Sequence, residues 1–170
     1  MSLGESAARP VQPGLRILDE EQAFRQSLFG LRVAQEVEAA SRALEAENER
    51  LLGELTAREA ELTILRAEMS VEEFRAAATA FDLQAEATRQ SQSEKRQRLV
   101  QFEDAERRRF FANIGPVLQD LLDRLGGQVL IDARAVIIGP SGLDMTEEAV
   151  AAIDAVLGDG GPPPFPLNLP

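Results

Sequence analysis

The sequence predicts a mainly α chain with a small β body, in which a long antiparallel coiled-coil hairpin is inserted into a short-stranded oligomerisation domain. Three observations carry that reading. Apolar residues recur at alternating three- and four-residue spacing through two long stretches. Between those stretches stands Ser70-Val71-Glu72-Glu73, a capping-box pattern that starts a new helix. Short β-branched runs lie only outside the helical stretches, toward the two ends.

Taken in order, Pro10, Pro13 and Gly14 mark residues 1–14 as an irregular leader, and Leu15-Arg16-Ile17-Leu18 is a candidate strand. Leu44, Leu51, Leu55, Leu62, Leu65 and Met69 then form a seam that also passes through Ser41, Asn48 and Arg58. It predicts a helix from about Leu31 to Glu68, roughly 57 Å long at 1.5 Å per residue. A second seam runs through Phe74, Ala78, Phe81, Ala85, Leu99, Phe102 and Phe110, with Thr88, Gln92 and Lys95 at its intervening positions. The middle of this pair is therefore expected to be weakly held. A short turn at Met69-Ser70 makes the second helix return beside the first, which places Ala34 near Ala105, and Leu28 and Phe29 near Phe110 and Phe111.

Pro116, preceded by Gly115, predicts a kink near residues 113–115, because proline removes one helical hydrogen bond and crowds the preceding turn. Gly126-Gly127 ends the helix. Val129-Leu130-Ile131 and Val136-Ile137-Ile138 read as strands, and Thr146, read as a cap before Glu147 and Glu148, opens a closing helix to about Leu157. The tail from Gly158 to Pro170 is Pro-rich and reads as a flexible end rather than a polyproline ligand. The expected domains are thus a leader (1–14), a trimerisation body (15–30 with 110–157), a helical hairpin arm (31–109) and a tail (158–170).

Composition excludes most chemistry. The 170 residues include no His, Cys, Trp or Tyr, which removes the usual zinc and thiolate ligands and the commonest general base. The 29 acidic residues are spread through helical sequence, with no pair in an apolar setting that would raise a pKa for acid–base work. No catalytic, cofactor or metal residues are expected. No run approaches the apolar length of a membrane span, so no stable membrane insertion is expected. The start, Met1-Ser2-Leu3-Gly4-Glu5, lacks a signal-type basic and apolar region, so export would require a signal already removed.

Three strands and one short helix bury too little apolar surface to be stable alone, and their edges would be left open. Oligomerisation through the body follows. Here the segment Ile17-Leu18-Asp19, with Ala23-Phe24, Ser27 and Gly30 after it, resembles the opening strand and turn of the Skp/OmpH family of periplasmic chaperones for outer-membrane proteins. Leu130-Ile131-Asp132-Ala133-Arg134-Ala135-Val136-Ile137-Ile138, followed by Asp144-Met145-Thr146, resembles that family's second and third strands and its helix start. The matching order spans roughly residues 15–157. The resemblance implies a homotrimer with a central β body and three arms around a cavity, which holds unfolded outer-membrane proteins in the periplasm without ATP. It transfers no catalytic residue, because the family has none.

Charge departs from the family's basic pattern. The net charge is −11; Leu31–Met69 carries nine Glu against five Arg, and Ser70–Ala112 carries eight acids and eight bases. Client capture is therefore expected to be chiefly apolar, with poor binding of anionic membranes and nucleic acid. The run Arg107-Arg108-Arg109 follows Glu103, Asp104 and Glu106 and reads as a solvated helix face. Ala39, Ala40, Ala43, Ala57, Ala60, Ala76, Ala77, Ala78, Ala80, Ala85 and Ala87 offer small apolar surface for weak, distributed contacts. The alternative function is a coiled-coil scaffold or spacer binding a folded partner.

Overall fold

The computed structural model describes residues 14–164 and Leu167, so the leader other than Gly14, and Phe165, Pro166 and 168–170 of the tail, lie outside the described residues. Helix dominates. In chain order the elements are β1 (Leu15–Leu18), α1 (Glu20–Gln26), α2 (Leu28–Leu65), α3 (Val71–Arg124), β2 (Val129–Asp132) and α4 (Thr146–Leu157). Single 3₁₀ turns at Ala133–Ala135 and Ser141–Leu143 lie between β2 and α4. The described residues fall into two compact units, one from 14–31 and Arg109–Gly161, the other from Arg32–Arg108 and the described part of 162–170.

In the first unit β1 pairs in parallel with β2, with Leu15 opposite Val129 and Leu18 opposite Asp132. Parallel pairing demands a long return connection, which α2 and α3 supply. Ile17, within β1, also bridges to Asp144, and the Met145 amide donates to the Ile17 carbonyl at 2.9 Å. The core gathers Leu18, Ala23, Leu121, Leu122, Met145 and Ala149, with Leu118, Leu125 and Leu130 packed against them. Beside it Phe110, fully buried, sits edge-on to Phe24, Phe29 and Phe111 at centroid distances of 5.1, 5.6 and 5.2 Å. The expected approach of Phe29 to Phe110 is present.

Local chemistry explains the element ends. Asp19 caps α1 by accepting from the Gln22 amide at 2.8 Å, and Ser27 both closes α1 and accepts from the Gly30 amide in the first turn of α2. Gly30 has to be glycine: a Cβ there would stand 1.8 Å from the Phe24 carbonyl oxygen. α3 ends in a Schellman arrangement, with Gly126 at φ +65 and the Gly127 amide donating to the Leu122 carbonyl at 2.9 Å. α3 itself continues through Pro116, which has no N–H to give the Ala112 carbonyl.

Three expectations change. Residues 136–138 are not a strand; Asp132 caps the 3₁₀ turn that leads the chain away, and Ile137 and Ile138 stand almost wholly exposed. Their β-branched character favours a strand only where a neighbouring strand is present to pair with, and among the described residues the sheet contains β1 and β2 alone. Thr146 is not the cap of α4, because Met145 holds that position. The Thr146 hydroxyl instead donates to Asp144 at 2.6 Å and accepts from the Asp19 amide at 2.9 Å, which ties the start of α4 to the end of β1. Lastly α1 is an element the sequence reading did not include, although Asp19 with Glu20 and Glu21 is a helix-start signal.

A distant residue completes the start of α2: Asp154, on α4, accepts from the Leu28 amide at 2.7 Å. Replacing Asp154 with alanine is expected to cost about 1 kcal/mol, the usual value of an N-terminal cap. A chemical-denaturation midpoint unchanged within error would show that water caps Leu28 equally well.

Candidate functional site

The second unit carries the features that bear on function. Its turn is the expected capping box: the Glu73 amide donates to the Ser70 hydroxyl at 3.2 Å, while the Ser70 amide donates to the Glu73 carboxylate at 2.9 Å. The hydroxyl and amide of Ser70 hold the Glu73 carboxyl below its ordinary range.

Burial in both helices follows the seams read from the sequence. On α2, Leu44 and Leu62 are buried and Ser41, Asn48, Leu51, Leu55 and Leu65 half-buried, as is Met69 in the turn beyond its end; Arg58 departs from the pattern and is exposed. On α3, Ala85, Gln92, Lys95, Phe102 and Glu106 are buried, with Phe74, Ala78, Phe81, Thr88 and Leu99 half-buried. Gln92, Lys95 and Glu106 are thus enclosed polar positions, and Lys95 and Glu106 have acquired charged partners on α2. Lys95 Nζ donates to both Glu47 oxygens, at 2.8 and 2.7 Å. Glu106, 2% exposed, pairs with Arg32, which also meets Glu36 at 2.9 Å.

The Glu47 carboxyl lies below its ordinary value, chiefly through the hydrogen bond from Lys95, then that from Gln92, with desolvation opposing. A carboxyl lowered by folding stabilises above its unfolded pKa, and that contribution is lost as pH falls through the lowered folded value. The stability gap between the wild type and Glu47→Gln should therefore be full near neutrality and shrink between about pH 5 and pH 3. Melting both proteins across that range checks it; a constant gap would mean the pair does not couple to folding.

Facing outward are apolar side chains that the seam reading passed over. Leu52, Ile64, Val71, Leu83 and Val100 are each 59–71% exposed. Their signal in the sequence is position: Leu52, Ile64 and Val100 stand next to the seam residues Leu51, Leu65 and Leu99, one step off the periodic row. Among the alanines, Ala39, Ala43, Ala57, Ala60, Ala76, Ala80 and Ala87 are exposed, Ala40, Ala77 and Ala78 half-buried, and Ala85 buried in the seam. This is a dispersed apolar surface set among charges. It is suited to many weak contacts.

The basic run differs from expectation. Arg108 is exposed, but Arg109 belongs to the first unit, where its guanidinium lies over the Phe29 ring at 5.4 Å and donates to the Gly160 carbonyl. Part of the run is thus committed to packing. Among the described residues no group of three or more acidic side chains converges in a way that could hold a metal ion, and no helix is long and apolar enough to cross a membrane.

A family model described as outer membrane protein (OmpH-like) matches residues 16–153. No curated protein matches the chain. Solved structures that resemble it include one from Caulobacter crescentus CB15, provisionally described as an outer membrane chaperone (OmpH-like). The two share 20% identity with a TM-score of 0.81, over 91% of this chain and 92% of that one.

Proposed function

Because the chain belongs to the outer membrane protein (OmpH-like) family, we propose that it is an ATP-independent holdase that binds unfolded outer-membrane proteins between helical arms and prevents their aggregation in the periplasm. The observation that carries this reading is the dispersed apolar surface: Leu52, Ile64, Val71, Leu83 and Val100 are exposed on helices whose seams are already filled from within. Client contacts of this kind are individually small. At about 25 cal/mol per Å², a few hundred Å² of shared burial yields several kcal/mol before ordering costs. The protein works by binding and needs no catalytic group. A scaffold for one folded partner would instead call for a continuous apolar stripe, which these scattered positions do not form.

The arm is an antiparallel hairpin in this reading. Two contacts support it: residue 47 meets 95, and residue 32, earlier on α2, meets 106, later on α3. The assembly is a homotrimer. Support comes from the sheet, which has two strands among the described residues with only an isolated bridge from Ile17 to Asp144 beyond them, and from the exposed Ile137 and Ile138 that follow β2 in the chain. A sheet this narrow favours pairing with further strands.

The test is to dilute a denatured outer-membrane barrel protein into buffer with and without this chain. Light scattering should stay low when the chain is present, and sedimentation should show a trimer. Unchanged aggregation would reject the holdase, and a monomer at micromolar concentration would reject the assembly. Client affinity should change little between about 50 and 300 mM salt, because neither helix offers a basic face and capture is apolar. A steep loss at high salt would point to a charged trap instead.

A further inference from the structure

One stretch of the helical unit is built unlike the rest. Glu47, Gln92 and Lys95 place a carboxylate, a carboxamide and an ammonium at the seam, where Gln92 and Lys95 are each 6% exposed. The layer is incompletely satisfied: Lys95 engages both Glu47 oxygens, but Gln92 Oε1 is buried with no hydrogen-bond partner. Buried polar groups without full partners regain hydration when a structure opens, so opening is less costly there than in an apolar seam.

The neighbouring seam positions extend this weakness. Counting outward from the contact of Glu47 with Lys95, and resting on the antiparallel pairing proposed above, Leu44 lies about level with Leu99, and Leu62 with Phe81. Between those two apolar layers every level contains a polar or small residue: Asn48, Gln92, Thr88, Arg58 or Ala85. Arg58 is exposed outright. Gly53, inside α2, falls in the same interval, and a Cβ added there would meet nothing within 4 Å. No packing demand accounts for a glycine at that position, and glycine is the poorest helix former after proline.

From these observations we infer that residues 45–61 of α2 and 82–98 of α3 form a compliant section, which opens and recloses locally while the seams on either side of it stay shut. Softness is thus placed midway along the helix pair. In a holdase it lets one arm adapt to clients of different bulk by bending there, without melting the arm's two ends.

Hydrogen exchange followed by mass spectrometry on the full chain, without client, tests the section independently of the holdase reading. Peptides from 45–61 and 82–98 should exchange at least about tenfold faster than those from 33–44 and 99–108, as expected of a unit that opens sub-globally. Gly53→Ala adds a methyl into open space, and Gln92→Leu removes the unpaired oxygen together with the amide that donates to Glu47, while leaving Lys95 on Glu47. The double variant should slow exchange in the section by about tenfold and leave the flanks unchanged. Wild-type exchange as slow in the section as in its flanks would overturn the inference, and so would a double variant that slows every peptide equally. Failure of the aggregation assay with this exchange pattern intact would reject the holdase alone.

Discussion

Replacing Phe110 with alanine is expected to destabilise the first unit by about 3–5 kcal/mol, the range for removing a fully buried aromatic side chain. Phe110 has no exposed surface and is shared by Phe24, Phe29 and Phe111, all in edge-on arrangements. Truncation therefore opens a cavity at the centre of the cluster and ends three ring contacts together, each worth about 0.5–1.5 kcal/mol beyond its area. Phe110→Leu refills much of the volume without the ring edges and should lose distinctly less. Urea denaturation at fixed protein concentration compares the three proteins. A Phe110→Ala loss below about 1 kcal/mol would show that the cluster collapses around the gap and is not a packed core.

The second large effect is expected at Glu106. Replacing it with alanine removes the carboxylate that faces Arg32, whose side chain is only 14% exposed, and leaves a largely buried guanidinium with Glu36 still beside it. Breaking one side of a buried pair typically costs 3–5 kcal/mol, and the surviving partner Glu36 places the expectation at about 3 kcal/mol. Arg32→Met combined with Glu106→Leu removes both charges and keeps the volume, so it should recover most of that loss or exceed wild-type stability. Denaturation midpoints of the single and double variants decide it. If the double variant is as unstable as Glu106→Ala, packing rather than the uncompensated charge dominates at this site.

Much of the helical unit was legible from residues alone. The seam through Phe74, Ala78, Phe81, Ala85, Thr88, Gln92, Lys95, Leu99, Phe102 and Phe110 coincides with the buried and half-buried positions of α3. Helical periodicity places those side chains on one face whatever they later meet. The capping box at Ser70 and the glycine stop at Gly126-Gly127 were equally legible, since each is satisfied within a few residues of chain. That Lys95 and Gln92 occupy seam positions could be read off the spacing.

What fills those positions could not. The sequence contains nine Glu on Leu31–Met69, and only the folded pairing selects Glu47 for Lys95 and Arg32 for Glu106, 74 residues away. The same holds for Asp154 capping α2 and for Thr146, whose hydroxyl is committed to Asp19 and Asp144 rather than to its own helix. The run Val136-Ile137-Ile138 shows the opposite failure: strand propensity is plain in its residues, yet Ile137 and Ile138 remain exposed, since among the described residues no strand pairs with them. A residue's own helix or turn is decided by steric and hydrogen-bonding choices within a few positions, so the sequence determines it by itself. Its partner is decided by which distant segments the chain brings within about 4 Å, and only the tertiary structure makes that choice.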